Sequence, residues 1–276
     1  MAALALPRHR VSILKKIWVI VLIYLKDNFA YPVASGLWVL ADAQAAIILP
    51  AVWMAAAGPN GMVAGFDRSG IVTYYLVSMA LAQFITCHLM WDIAWDIREG
   101  FFSSQLVRPI DYFLTQTGRN FAWRLTKLLL FVPLYAVVIA VYAATVHLGQ
   151  LHFSLAFVAS VFLAQQLSFV AAYCMAMVTL WTTEFESVLR LYYIPEFILS
   201  GRTVPLSSLP IWAGSLATWT HFKYTNSFPA EMLLGRVTGA QQLQGLAIQA
   251  SWIVVFILLS RVLFVKGTRH YTGVGM

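Results

Sequence analysis

Unbroken apolar runs near bilayer length constrain this chain more than any other feature. A helix needs roughly 20 predominantly apolar residues to cross the hydrocarbon layer, and several stretches of the 276-residue sequence reach that length. Only 11% of the residues are charged and 61% are hydrophobic, against about 25% charged in an ordinary soluble domain. Lipid offers the backbone no partners, so such runs must satisfy their own N–H and C=O groups as helices. The 10 Trp, 12 Tyr and 18 Phe suit the aromatic belts found at headgroup level. These features predict an all-α polytopic membrane protein with little chain left for a soluble domain.

The runs lie at 33–57, 71–91, 128–146, 153–181, 188–199 and 246–265, six predicted spans in a single transmembrane domain covering 1–276. Residues 8–30 hold a shorter apolar core, from Ile17 to Leu25, bracketed by Lys15, Lys16 and Lys26. It is too short to span, and long basic side chains can snorkel to the headgroups. It is read as an interfacial helix, with a short extension of the first span as the alternative. Pro133 is expected to kink the third run, and Arg124 and Lys127 to mark its water side. The fifth run is interrupted by Pro195 and Glu196. Between 203 and 235 the apolar chain is broken by Pro205, Pro210, Gly214 and Pro229. Half-helices that enter the membrane and return, shielded by protein, fit that stretch better than another full span. The start, MAALALPRHR, lacks the order of a signal peptide, so insertion is expected to use the first span itself.

Six spans put both termini on one side. Of the 18 Lys and Arg, only Arg68, Arg202, Lys223 and Arg236 fall on the other side. The positive-inside rule therefore places both termini in the cytoplasm. The net charge of +7 is thus read as a topology signal, with no nucleic-acid partner implied. Cys87 and Cys174 lie far apart in apolar runs, which provides neither a disulfide framework nor zinc spacing. His88 beside Cys87 is read as a packed core pair, since nothing supplies further ligands or a third catalytic group. Phosphate-loop, H-E-x-x-H and G-x-S-x-G motifs are absent, so no catalytic residue, cofactor or metal is expected in this chain. Asp42 lies near mid-depth of the first span, and Glu196, beside Pro195, nearer the outer end of the fifth. Each is read either as a cation-favouring point on a translocation path or as a structural partner, Asp42 to Gln165 or Gln166 and Glu196 to Arg202.

The densest charged segment, Asp92–Asp111, stands between two apolar runs and so must meet water. Its bland reading is a solvated loop. Against that, it keeps Ile93, Trp95, Ile97, Phe101, Phe102, Leu106, Val107 and Ile110 among its charges, as a docking surface would. Gly100 sits where a helix through DIRE would end in a left-handed cap, and Arg108 before Pro109 is held extended. A short amphipathic helix pressed into a partner's groove is the active reading.

DIREGFFSSQLVRPIDYFL resembles the cytoplasmic signature of ABC-2-type exporter permeases: an acidic residue, Ile, Arg, any residue and Gly, then Leu-x-Arg-Pro. The likeness is to the six-span branch commonly encoded as paired permeases with a separate ATPase. VPLSSLPIWAGSLATWTHFKYTNSFPAEMLLG is similar to that branch's outer re-entrant segment, and GTRHYTGVG to its carboxyl tail. Thr220–His221–Phe222 departs from the pattern, in which a proline tends to precede the phenylalanine.

The resemblance implies a cytoplasmic coupling helix between spans two and three, at 92–110, and an outer re-entrant hairpin between spans five and six. Asp96, Ile97, Arg98, Glu99, Gly100, Arg108 and Pro109 would carry the coupling. The implied partners are an ATPase dimer, which holds ATP and Mg, a second and non-identical permease chain, and the lipid of a prokaryotic plasma membrane. Export, including multidrug efflux, is implied by the family alone. An ion-coupled secondary transporter using Asp42 and Glu196 is the alternative from another class, and an intramembrane enzyme is a third.

Overall fold

The computed structural model describes residues 12–56, 61–145, 151–182 and 185–271, without the side chains of Asp42, Ala43, Ala45 and Ala46. Among the described residues the fold is all-α apart from one tiny hairpin. Ser12 caps the first helix, α1 (Ile13–Ala30), with its side chain accepting from the Lys15 N–H. Tyr31 precedes Pro32, which disfavours helical backbone there; it takes φ −125° and ψ 67°. The chain turns by 91° into α2 (Pro32–Ala56). The Ser35 hydroxyl donates to the Asn28 carbonyl at 2.8 Å, occupying an acceptor freed at this elbow.

Strands β1 (Met62–Val63) and β2 (Phe66–Asp67) pair with Val63 opposite Phe66. Ala64 and Gly65 between them both have positive φ, the twist that a two-residue hairpin turn demands. Asp67 then caps α3 (Arg68–Ile85), accepting from the Gly70 N–H at 2.8 Å. The remaining helices are α4 (Leu89–Arg98), α5 (Phe101–Leu106), α6 (Tyr112–Val141), α7 (Leu155–Val178), α8 (Phe185–Leu199), α9 (Ile211–Trp219), α10 (Ser227–Leu233) and α11 (Gly239–His270).

Among the described residues, four helical units are long and apolar enough to cross a membrane: Arg68–Arg98, α6, α7 and α11. The bent pair of α1 and the start of α2 makes a fifth if counted as one span. The unit Arg68–Arg98 lies innermost, 83% of its apolar window being buried by protein, whereas α11 buries only 17%. Small side chains allow this packing. Ala164, Ala171, Ala172 and Ala176 of α7 are fully enclosed, and without large side chains helix backbones approach closely. Gly118 of α6 serves the same end, since a Cβ there would lie 2.5 Å from Cγ2 of Ile20 on α1. Outside these helices, the stretch from Ser200 to Gly235 is strapped to α3. The Tyr74 and Tyr75 hydroxyls donate to the carbonyls of Gly201 and Thr203, each at 2.7 Å, and Asn226 bonds Ser78.

Three sequence expectations are corrected. Pro195 does not interrupt the fifth run; α8 continues through it to Leu199. A proline removes one N–H from the helix ladder, and flanking turns packed on α7 can hold the helix together. Conversely, the second run breaks at 86–88, and the chain then resumes as α4, which ends at Arg98 just before Gly100, where the helix through DIRE was expected to stop. Arg124 and Lys127 do not face water. They are 3% and 1% exposed, inside the protein.

Candidate coupling segment and polar sites

The break at 86–88 falls where no glycine or proline requires one, so its freed backbone groups need partners. They find them on neighbouring helices. The Cys87 N–H donates to the Ser168 hydroxyl of α7 at 3.0 Å, and its carbonyl accepts from the Tyr193 hydroxyl of α8 at 3.4 Å. Arg124 of α6 donates to the carbonyls of Gln83 and Ile85, each at 3.4 Å, capping the end of α3. The Cys87 thiol reaches the Asn120 side-chain oxygen at 3.4 Å. His88 stacks on Tyr193 with ring centroids 6.1 Å apart. Cys87 and Cys174 are buried and free.

Below the break, α4 is clamped from α6. The Arg119 guanidinium reaches Asp92 Oδ1 at 3.1 Å and Asp96 Oδ2 at 3.0 Å, one nitrogen to each carboxylate. Its other face lies 5.3 Å from the Tyr24 ring centroid of α1. Spacing of i, i+4 puts the two acids on one side of α4, so a single planar fork can serve both. Helix α4 ends when the Glu99 N–H bonds the Trp95 carbonyl, and Gly100 follows with φ 79° and ψ −3°. That left-handed backbone lets the chain reverse into α5 without a Cβ clash.

Helix α5 is pinned by Phe102 and Ser103. Phe102 is fully buried, with its ring edge-on to Tyr112 at 4.9 Å and to Tyr271 at 5.2 Å. Tyr271, just after α11, donates to the Ile97 carbonyl and accepts from the Ser103 hydroxyl, both at 3.3 Å. The opposite side of the segment is bare. Phe101 is 57% and Val107 84% exposed, with Leu106 also open.

The sequence-derived coupling residues divide accordingly. Asp96 and Ile97 face inward, the first on Arg119 and the second in the core. Arg98, Glu99, Arg108 and Pro109 are exposed, and Gly100 forms the joint. Arg98 lies over the Phe185 ring of α8 at 5.1 Å and only 3.8 Å from Glu99. The side chain of Asp42 lies outside the described residues, although its backbone belongs to α2. Glu196 is buried in α8 with Oε2 3.7 Å from Nη2 of Arg202, whose Nη1 donates to the Thr86 hydroxyl at 3.3 Å. Gln165 and Gln166 bond each other at 2.7 Å. His221 is buried among Tyr192, Phe222, Trp252 and Phe256.

Sequence reasoning missed the Arg119 clamp and the Arg124 cap. The Asp92/Asp96 spacing was a visible signal for the first; nothing local signalled the second. Residues 44–275 match the family described as ABC-2 family transporter protein. No curated protein and no solved structure matches the chain.

Proposed function

The chain belongs to the ABC-2 transporter family and is an integral membrane permease of an ABC transporter; from that premise we propose that it forms half of the translocation path of an exporter driven by a separate ATPase. ATP and Mg are held by that subunit, acting as a dimer, and a second, non-identical permease completes the path. In this reading α2, α3–α4 and α8 are spans one, two and five; α2 and α8 line the path, with the enclosed α3–α4 unit behind them. Helices α9 and α10 form an outer re-entrant gate, and α1 lies along the cytoplasmic face of a prokaryotic plasma membrane. The 91° elbow between α1 and α2 is what a helix in the interface joined to a crossing helix requires.

One observation carries the coupling role: the α4–Gly100–α5 segment is rigidly anchored on one face and bare on the other. A lever that transmits motion must be tied to the spans it moves. Arg119 and Phe102 provide that tie. The open face, with Phe101, Leu106, Val107, Arg98 and Arg108, mixes apolar contact area with positive charge, as a docking surface needs. ATP-driven closure of the ATPase would push this face and turn α4 about the break at 86–88.

Val107→Glu alters only exposed atoms, and Arg98→Glu gives up only the contacts over the Phe185 ring and with exposed Glu99, so each variant should reach the membrane at wild-type levels. Each should also lose co-purification with the ATPase by about tenfold, the effect of a central contact. If both variants still co-purify with the ATPase and transport normally, this segment is not the coupling element.

A further inference from the structure

A cavity of about 500 Å³ opens between the α1–α2 elbow and the α4–α6 clamp. Its size lies in the range of small-molecule sites. Tyr24, Trp38, Trp91 and Trp123 supply aromatic walls, and Asp27, Asp92, Arg119 and Asn120 supply the charged and polar groups. We propose that it holds the headgroup of a zwitterionic aminophospholipid, bound as a resident lipid of the cytoplasmic leaflet.

The charge balance selects the ammonium. Arg119 already divides its two terminal nitrogens between Asp92 and Asp96, so acids outnumber the guanidinium that serves them. Asp27, on the rim, has no ion-pair partner among the described residues. Tyr24 and Trp123 already face Arg119 and Lys127, but the Trp38 and Trp91 faces that line the same cavity attract a cation further, whereas a purely anionic headgroup would meet the carboxylates of Asp27 and Asp92. The phosphate of a zwitterion still finds donors. Asn120 spends its oxygen on Arg124 and Cys87, leaving its amide N–H groups to donate, and Arg119 lines the same wall.

The shape favours a lipid over a small soluble amine. Trp38 and Trp91 are 68% and 50% exposed, so the cavity opens sideways onto the protein's outer surface and leaves room for acyl chains. Under the orientation proposed above, the elbow lies at the headgroup level of the cytoplasmic leaflet, where Trp and Tyr concentrate. A lipid wedged there would brace α1 against the clamp.

The test uses the full chain, purified and delipidated in detergent, where membrane sidedness has no influence; failure would therefore leave the orientation reading untouched. Native mass spectrometry compares retention of dioctanoyl phosphatidylethanolamine with that of the phosphatidylglycerol and phosphatidylcholine analogues. The ethanolamine lipid should be retained about tenfold better than the glycerol lipid, as loss of one charge-assisted hydrogen bond predicts. Asp27→Asn should erase that preference without altering the melting temperature of the lipid-free protein, because Asp27 is exposed. Glu186→Gln, on exposed α8 chain, should leave the preference intact. Equal retention of the glycerol lipid, or an Asp27→Asn protein that behaves as wild type, would overturn the proposal. So would full displacement of the phospholipid by an equal concentration of octylamine, which would assign the cavity to free amines.

Discussion

Removing the Arg119 side chain would leave Asp92 and Asp96 facing each other across one helical turn, with no cation between them. Like charges at i, i+4 repel, and a desolvated carboxylate stripped of its donor costs about 1–3 kcal/mol. Asp92 remains 49% exposed and can hydrate, but Asp96 is only 15% exposed, so Asp96 carries most of the penalty. Arg119→Ala should therefore lower the melting temperature in detergent. Adding Asp96→Asn should restore part of the loss, because the pair is coupled and its effects are not additive. A Arg119→Ala protein that melts with the wild type would show that the clamp contributes nothing. The i, i+4 acids were legible in the sequence; the cation between them was not, because it arrives from another helix. Glu196 shows the opposite case. Its pairing with Arg202 was one of two readings, and the pair forms, though at 3.7 Å.

At the scale of elements, helix breaks followed tertiary contacts more than local composition. Pro195, the strongest local breaker, sits inside α8, whereas residues 86–88, which contain neither proline nor glycine, interrupt the second run. Propensity is a weak prior where a neighbouring helix offers better partners. Ser168, Tyr193 and Arg124 make the break stable by taking up its backbone groups, and no local window contains them. Arg124→Leu should consequently loosen this joint. Amide hydrogen exchange at 85–90 should rise at least tenfold over wild type, while exchange in α7 stays unchanged. Arg124→Lys should not restore protection, since an ammonium lacks the flat fork that spans two carbonyls. Unchanged exchange in both variants would mean that the other partners hold the break unaided. The glycine joint at Gly100, by contrast, was readable in advance, because only a residue free at positive φ ends one helix and starts another so abruptly.

For the whole molecule, apolar run length was legible because lipid forces the backbone into helices. Burial was not, because every span is apolar on all sides and hydropathy cannot say which one is innermost. Thus α3 and α11 look alike in sequence, yet one is enclosed and the other faces outward. The sidedness of the chain still rests on charge alone and can be measured. Both native cysteines are buried, so background labelling by a membrane-impermeant thiol reagent should be low. Val107→Cys would report on the α5 tip and Ile211→Cys on the start of α9, at positions 84% and 90% exposed. Charge asymmetry predicts that Val107→Cys reacts only when the cytoplasmic face is opened to the reagent, and Ile211→Cys in intact cells. If both react from the same side, an even number of crossings separates α5 from α9, and the three spans proposed between them cannot all cross. The positive residues around α4 and α6 would then be serving the protein interior, as Arg124 and Lys127 already do, more than its orientation.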